Sequence, residues 1–282
     1  MSNRIFLRFP NFKDKALTLS YDDGVRQDKR LISIMDKFGI KGTFNLNGGM
    51  FDTARSDIPK GRLSLEEAIE LYKDSVHEIA IHGYRHLTWG IVDSAVATND
   101  IVKDRSALEE AFDRIVMGMA YPNGTSNCTE TSMQILKNCN IKYGRTTESS
   151  LGFEIPTNWL KMPATCHHNN PQLMEIFDKF LEKPKYSSWW AKRARLFYLW
   201  GHSYEFDDYN NWHVIEEFCE RVGGRNDIWY ATNGEIYDYV TAFDRLEWSI
   251  DEKFVYNPSA IDVYVNCRDK EFIVPAGKTV KI

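Results

Sequence analysis

Two adjacent carboxylates, Asp22 and Asp23, close the short apolar run Ala16-Leu17-Thr18-Leu19-Ser20-Tyr21 and precede Gly24. Like charges side by side repel unless something binds them, and a cation is the simplest occupant. Successive side chains of an extended or turning chain diverge, so one carboxylate can hold a metal while the other faces a substrate. The alternative is a loop pair, one of its members capping the next helix. His82-Gly83-Tyr84-Arg85-His86 sets two imidazoles four positions apart. On a helical turn both face one way, which suits a borderline cation such as zinc, although two surface histidines have the same spacing. One Asp with two His leaves positions free for water and substrate, as a catalytic metal needs. His202 follows the apolar run Leu196–Trp200, where it either donates a proton to a leaving amine or merely ends a strand. Asn123, in Pro122-Asn123-Gly124, either turns a backbone N–H toward a developing oxyanion or completes an ordinary turn.

For these residues to meet, the fold must converge them. Residues 27–38 carry Leu31, Ile34, Met35 and Phe38 at helical spacing, and Gly39 stops the helix. Lys41–Leu46 has the composition of the next strand. The pattern repeats: a capping box of Ser64 and Glu67 before a helix over 65–73, a strand over 78–81, a helix within 92–115, and a strand over 116–121. A helix over 129–139, a strand near Tyr143, a strand over 196–200, a helix over 211–223 and a strand over 227–232 follow. Alternating strands and helices imply an α/β fold on a parallel sheet, open or closed into a barrel. Asp22, Asp23, His82, Asn123 and His202 then all fall at the C-terminal ends of strands, the face on which such folds build their sites. After Trp248 short alternating runs separated by Pro and Gly predict a small β extension, residues 249–282, on a catalytic domain of residues 1–248.

The chain has 282 residues, 27% of them charged, and a formal net charge of -5, a balance that argues against a general nucleic-acid partner. No run is apolar enough for a signal h-region or a bilayer span, so the expected place is the cytoplasm, away from membranes. The five cysteines are scattered, without a CxxC pair, and predict free thiols rather than disulfides or a cysteine-based zinc site. The oligomeric state stays open.

Taken together and in this order, these residues resemble the polysaccharide deacetylase, or NodB-homology, family over roughly residues 15–240. Thr18-Leu19-Ser20-Tyr21-Asp22-Asp23-Gly24 is similar to its Thr-Phe-Asp-Asp-Gly motif, and His82 to His86 to its His-(Ser/Thr)-x-x-His motif. Tyr121-Pro122-Asn123-Gly124 resembles its Arg-x-Pro-Tyr-Gly segment, and Trp200-Gly201-His202 its late Leu-x-His motif. The resemblance implies a distorted (β/α) barrel and one divalent metal, most commonly zinc, with cobalt, nickel or manganese as alternatives. It implies Asp23, His82 and His86 as ligands, Asp22 as general base, the Asn123 N–H at the oxyanion, and His202 as the acid that protonates the leaving amine.

Three departures stand out. Gly83 occupies the Ser/Thr position, Asn123 the tyrosine position, and Ala120 the position of the motif arginine, for which Arg145 is a possible substitute. Tyr121, Trp159 and Tyr204 are expected on the substrate side, Trp159 as a wall of the acetyl pocket. Asp207 and Asp208 are the expected carboxylate partners of His202, and Trp229, Asn233 and Glu235 suit a sugar. Cys166-His167-His168 is either a second metal site or a loop with incidental histidines. The resulting expectation is a hydrolase that deacetylates an N-acetylated, less readily an O-acetylated, saccharide. The alternatives are an amidase acting on a non-sugar or cyclic amide, and a catalytically silent sugar-binding protein, against which the presence of both Asp22 and His202 counts.

Overall fold

The computed structural model describes residues 5–51, 56, 59, 61–182 and 192–282. A short strand, β1 (Ile5–Arg8), precedes β2 (Lys15–Asp22), every residue of which is buried. Burial on both faces is what a central parallel strand requires. Beyond it come β3 (Gly42–Leu46), β4 (Glu78–Ile81), β5 (Gly118–Ala120), β6 (Tyr143–Ser149), β7 (Met162–Ala164), β8 (Cys166–His167), β9 (Arg195–Gly201) and β10 (Ile228–Tyr230). The spatial order is β7-β6-β5-β4-β3-β2-β9-β8, with every neighbouring pair parallel.

The two ends of that order are one piece of chain. Only Thr165 separates β7 from β8, and its N–H donates to the Tyr198 carbonyl at 2.8 Å. Residues 162–167 therefore pair with β6 through their first half and with β9 through their second, closing the sheet into a distorted barrel. The strand β10 pairs only with residues 15–17 of β2, below the stretch that meets β3.

The helices α1 (Asp28–Lys37), α2 (Leu65–Tyr72), α3 (Ser94–Phe112), α4 (Glu130–Asn138), α5 (Leu173–Leu181), α6 (Glu205–Asp208), α7 (Trp212–Val222) and α8 (Asn233–Asp244) accompany the strands. Ser64 and Glu67 form the expected capping box on α2. One apolar cluster joins Leu19, Phe44 and Phe197 of the strands to Ile101, Phe177 and Phe218 of the helices.

The C-terminal strands β11 (Glu247–Trp248), β12 (Phe254–Tyr256), β13 (Val263–Cys267), β14 (Lys270–Val274) and β15 (Thr279–Lys281) form two antiparallel sheets. One of them recruits β1, in the order β1-β13-β14, so the two ends of the chain are laced together. All five cysteines are free thiols. Among the described residues no helix is long and apolar enough to cross a membrane.

Candidate active site

Asp22 ends β2, Asp23 follows it, His82 follows β4, and His202 follows β9, so the barrel gathers all four at its C-terminal face. Asp22 is 2% exposed and carries a dense set of partners. The Arg145 guanidinium, fully buried, ion-pairs with both of its oxygens. Asn45, its register neighbour on β3, donates to Oδ1 at 2.8 Å. His82 Nε2 and His202 Nε2 each lie 3.8 Å from Oδ2. Burial alone raises a carboxyl pKa, but Arg145, then His82 and His202, hold Asp22 well below the usual carboxylate range. It is ionised at neutral pH.

The route by which Arg145 reaches Asp22 follows from strand register. Ala120 on β5 and Arg145 on β6 are paired neighbours in parallel strands, so their side chains leave the sheet on the same face. The small Ala120 leaves the space, and the guanidinium fills it from the next strand. Its other face stacks over the Trp200 ring, 4.5 Å from the centroid.

Asp23 faces a different set. Its Oδ1 lies 4.0 Å from His82 Nε2 and 3.8 Å from His86 Nε2, and ligand atoms of the three residues fall within 4.8 Å of one another. The His82 ring is oriented by its other nitrogen, which lies 2.8 Å from the Ala120 carbonyl. A carbonyl only accepts, so Nδ1 carries the hydrogen and the Nε2 lone pair faces the carboxylates. Burial pushes the His82 pKa down to about 4, which keeps the ring neutral. Asp23 has φ +87°, a left-handed conformation that costs a non-glycine residue on the order of 1–3 kcal/mol and that clusters at functional sites.

The loop from His82 to His86 is held by acids of α3. Asp104 accepts the His82 N–H at 3.0 Å, and Asp100 accepts the Arg85 N–H at 3.1 Å and Trp89 Nε1 at 3.2 Å. Gly83 has φ +79°, and a Cβ there would lie 2.9 Å from Asp100 Oδ2, so this loop leaves no room for a side chain at the position.

His202 is oriented from below by Glu205, the first residue of α6. Its Nδ1 lies 3.5 Å from Glu205 Oε1, and its backbone N–H donates to Oε2 at 3.3 Å. Burial opposes charge on His202, but Glu205 first, then Asp22, raise its pKa above the ordinary histidine value. The carboxylate partner is thus Glu205 and not Asp207 or Asp208. Asp207 faces away, accepting from Trp212 Nε1 at 2.7 Å and from Gln27 Nε2 at 2.8 Å. The Tyr204 ring lies 5.2 Å from that of His202, at the edge of the site.

Two expected substrate contacts are corrected. Tyr121 is 1% exposed, its hydroxyl donating to the Leu160 carbonyl at 2.8 Å; a side chain packed under the barrel surface cannot touch a substrate. Trp159 precedes β7 and packs edge-on against Tyr237 of α8, 5.1 Å between centroids, at the opposite end of the barrel. Asn233, Glu235 and Trp229 also lie away from the site. Because β10 pairs low on β2, the chain after it emerges beside the N-terminal ends of β3 and β4, where Glu235 meets Lys41 at 2.6 Å and Gly234 N–H meets Glu78 at 2.8 Å. Trp229 packs between Phe9 and Tyr239.

Asn123 is exposed at the site's rim with φ +56°, its side-chain amide donating to the His86 carbonyl at 3.1 Å and to Thr88 Oγ1 at 3.0 Å. The sequence also gave no sign of Arg62, which is 7% exposed. It donates to Asp23 Oδ1 at 2.8 Å, to the Asp23 carbonyl, and to Asn47 Oδ1 at 2.9 Å.

Residues 10–144 match the polysaccharide deacetylase family model. Over this stretch, just under half of its length, the chain is similar to that family. No curated protein sequence matches it. Among solved structures, the chain resembles a putative polysaccharide deacetylase from Mycobacterium smegmatis, at 17% identity and a TM-score of 0.61, covering 84% of this chain and 94% of that one. It resembles Puue allantoinase at 13% identity and a TM-score of 0.59, covering 81% and 91%. It spans 61% of the Streptococcus pyogenes deacetylase PplD in complex with acetate, which covers 51% of this chain at 21% identity and a TM-score of 0.45. At these identities the likeness is one of fold, and the deacetylase barrel is the fold described above.

Proposed function

We propose that the chain is a metal-dependent hydrolase that removes the acetyl group from an N-acetylated saccharide. One observation carries this reading: two adjacent carboxylates have been given separate environments. Asp22 is fixed and charged by Arg145 beside His202, while Asp23 converges with two imidazoles. One carboxylate and two neutral imidazoles are a donor set that fits zinc or a neighbouring divalent cation, and Asp23, His82 and His86 would hold it. A cation there supplies Lewis acidity and lowers the pKa of water.

The protein's own groups do the rest. Asp22, ionised, takes the proton of the attacking water at one of its carboxylate oxygens. The Asn123 N–H, which makes no hydrogen bond within the described residues, faces the developing oxyanion. His202, kept protonated by Glu205, gives its Nε2 proton to the departing nitrogen. This pairing favours an amide over an ester, because an amine leaves only when protonated. His202 Nε2 stands 3.8 Å from Asp22 Oδ2, too close for a sugar ring to pass between them, so the substrate sits over the pair.

Asn123 stands where the family motif has a tyrosine, and with Tyr121 buried and Trp159 at the other end of the barrel neither of these rings lines the site. That favours a short saccharide, and it supports a cyclic amide as the second reading. A screen of acetate release and ring opening separates them, run with zinc, cobalt, nickel or manganese over N-acetylated sugars, their oligomers, acetylated xylan and cyclic amides. Acetate from N-acetyl sugars is expected; ring opening alone would replace the saccharide reading.

Two consequences are measurable without a substrate. Replacing Arg145 with methionine strands the buried Asp22 charge and should lower stability by about 3–5 kcal/mol in chemical denaturation at neutral pH. Arg145 depresses the folded pKa of Asp22, so its stabilising contribution is full above the unfolded carboxyl value and fades as pH falls through the folded one. The deficit should therefore shrink on acidification. Replacing Arg62 with glutamine removes a positive charge 2.8 Å from a ligand oxygen and should tighten zinc binding about tenfold by calorimetry. Weaker binding would show that Arg62 matters more for orienting Asp23 than for repelling the cation.

A further inference from the structure

Beneath His202 lies a group of side chains with no part in the scheme so far. The strand β8 ends at His167, and His168 follows it. His167 Nε2 and His168 Nε2 each lie 3.1 Å from Glu205 Oε2, the oxygen not paired with His202 Nδ1. Three imidazoles thus surround one carboxylate. His168 is fully buried, stacked on Phe206 at 4.2 Å and on Tyr21 at 5.7 Å between ring centroids. Its ring occupies the space a Cβ at Gly201 would take, 2.1 Å from Nδ1, so the residue before His202 has to be glycine for the group to form.

Histidine, histidine and glutamate are also a plausible ligand set for a second cation, and their ligand atoms lie within 4.8 Å of one another. The tautomer of His167 argues against it. The Asn169 N–H donates to His167 Nδ1 at 3.1 Å, so in the neutral ring Nδ1 is the acceptor and the hydrogen sits on Nε2. The atom that faces Glu205 is a donor, with no lone pair to offer a metal.

We propose that His167 and His168 are positioning residues that clamp Glu205 in the one orientation from which it orients His202. Nε2 of each imidazole lies within ion-pair distance of Oε2, leaving Oε1 on the side of His202 Nδ1, and the carboxylate cannot swing away on the short helix α6 without losing both contacts. Unclamped, Glu205 is free to leave His202, whose ring then loses its alignment toward the leaving group. This rests on the reading of His202 as the acid. No other function is needed for the Cys166-His167-His168 segment.

The test uses the zinc-loaded full chain and three variants: His167→Ala, His167→Gln and His202→Ala. His167 is partly exposed, so its replacement spares the core, and glutamine keeps an N–H donor in place of Nε2. His167→Ala should lower kcat on an N-acetyl sugar on the order of tenfold or more, as loss of an orienting partner does, with KM and hydrolysis of an activated aryl acetate nearly unchanged. His167→Gln should recover most of that loss. Bound zinc should be one per chain in wild type and in both His167 variants. Equal losses on both substrates without recovery by glutamine would reduce His167 to a packing role and overturn the proposal. A second zinc in wild type that disappears in His167→Ala would also overturn it, in favour of a metal site. Amide-selective loss in His202→Ala with none in His167→Ala would remove the clamp alone, whereas no selectivity in His202→Ala would remove the acid reading and the clamp with it.

Discussion

Asp22→Asn should keep its zinc and lose turnover by on the order of 10²–10⁴-fold, the range typical for loss of a general base. Asparagine is nearly the same shape and cannot take a proton. The metal should survive because the proposed ligand is Asp23, which points to the imidazoles of His82 and His86, whereas Asp22 points to Arg145 and His202. Asp23→Asn should lower zinc affinity and turnover together. Asp22→Asn also leaves Arg145 without its counter-charge, so turnover is to be expressed per folded, zinc-loaded chain. Equal loss of zinc in the two variants would show that the pair divides its work differently.

His202→Ala should discriminate between substrates. On an N-acetyl sugar the expected loss is on the order of 10²–10⁴-fold, because the departing amine needs a proton. On an activated aryl acetate it should be far smaller, since an aryloxide leaves without one. The pH dependence has a defined sign. Glu205 and Asp22 raise the pKa of His202, so the acid is protonated below its folded value and amide hydrolysis declines as pH rises through it. Asp22, held well below the usual range, stays ionised across neutral pH and contributes no limb there. Similar losses on both substrates would assign His202 a binding role, and no loss on either would remove it from the mechanism.

What the sequence revealed and what it hid have physical causes. The strands that carry the site were legible because buried parallel strands are rich in apolar residues and run straight into their site residues, as β2 does into Asp22 and Asp23 and β4 into His82. The placement of Arg145 was open, since nothing in a linear sequence shows that Ala120 and Arg145 share a register on neighbouring strands. The partner of His202 was sought in the acid pair Asp207-Asp208, but the chain turns into a helix directly after His202, and a helical turn returns the residue three positions on, Glu205, to its side. The closing strand was missed because residues 162–167 contain Pro163 and are too short for alternation to show. The helix α8 was missed because Asn233 and Glu235 were read as polar groups suited to a sugar, whereas Thr232 and Glu235 make a capping box that starts a helix. Arg62 and its fork on Asp23 have no sequence signal at all: contact across 39 positions is visible only in the fold.

The most direct test of a cation held by Asp23, His82 and His86 is acetate release from an N-acetylated oligosaccharide by one preparation. It is measured as purified, after exhaustive chelation, and after return of one equivalent of zinc, with His82→Ala carried through the same steps. Release should vanish on chelation and return with zinc in the wild type, and should be absent throughout in His82→Ala. Undiminished release from the chelated wild type, or full activity of zinc-loaded His82→Ala, would contradict the metal-dependent account.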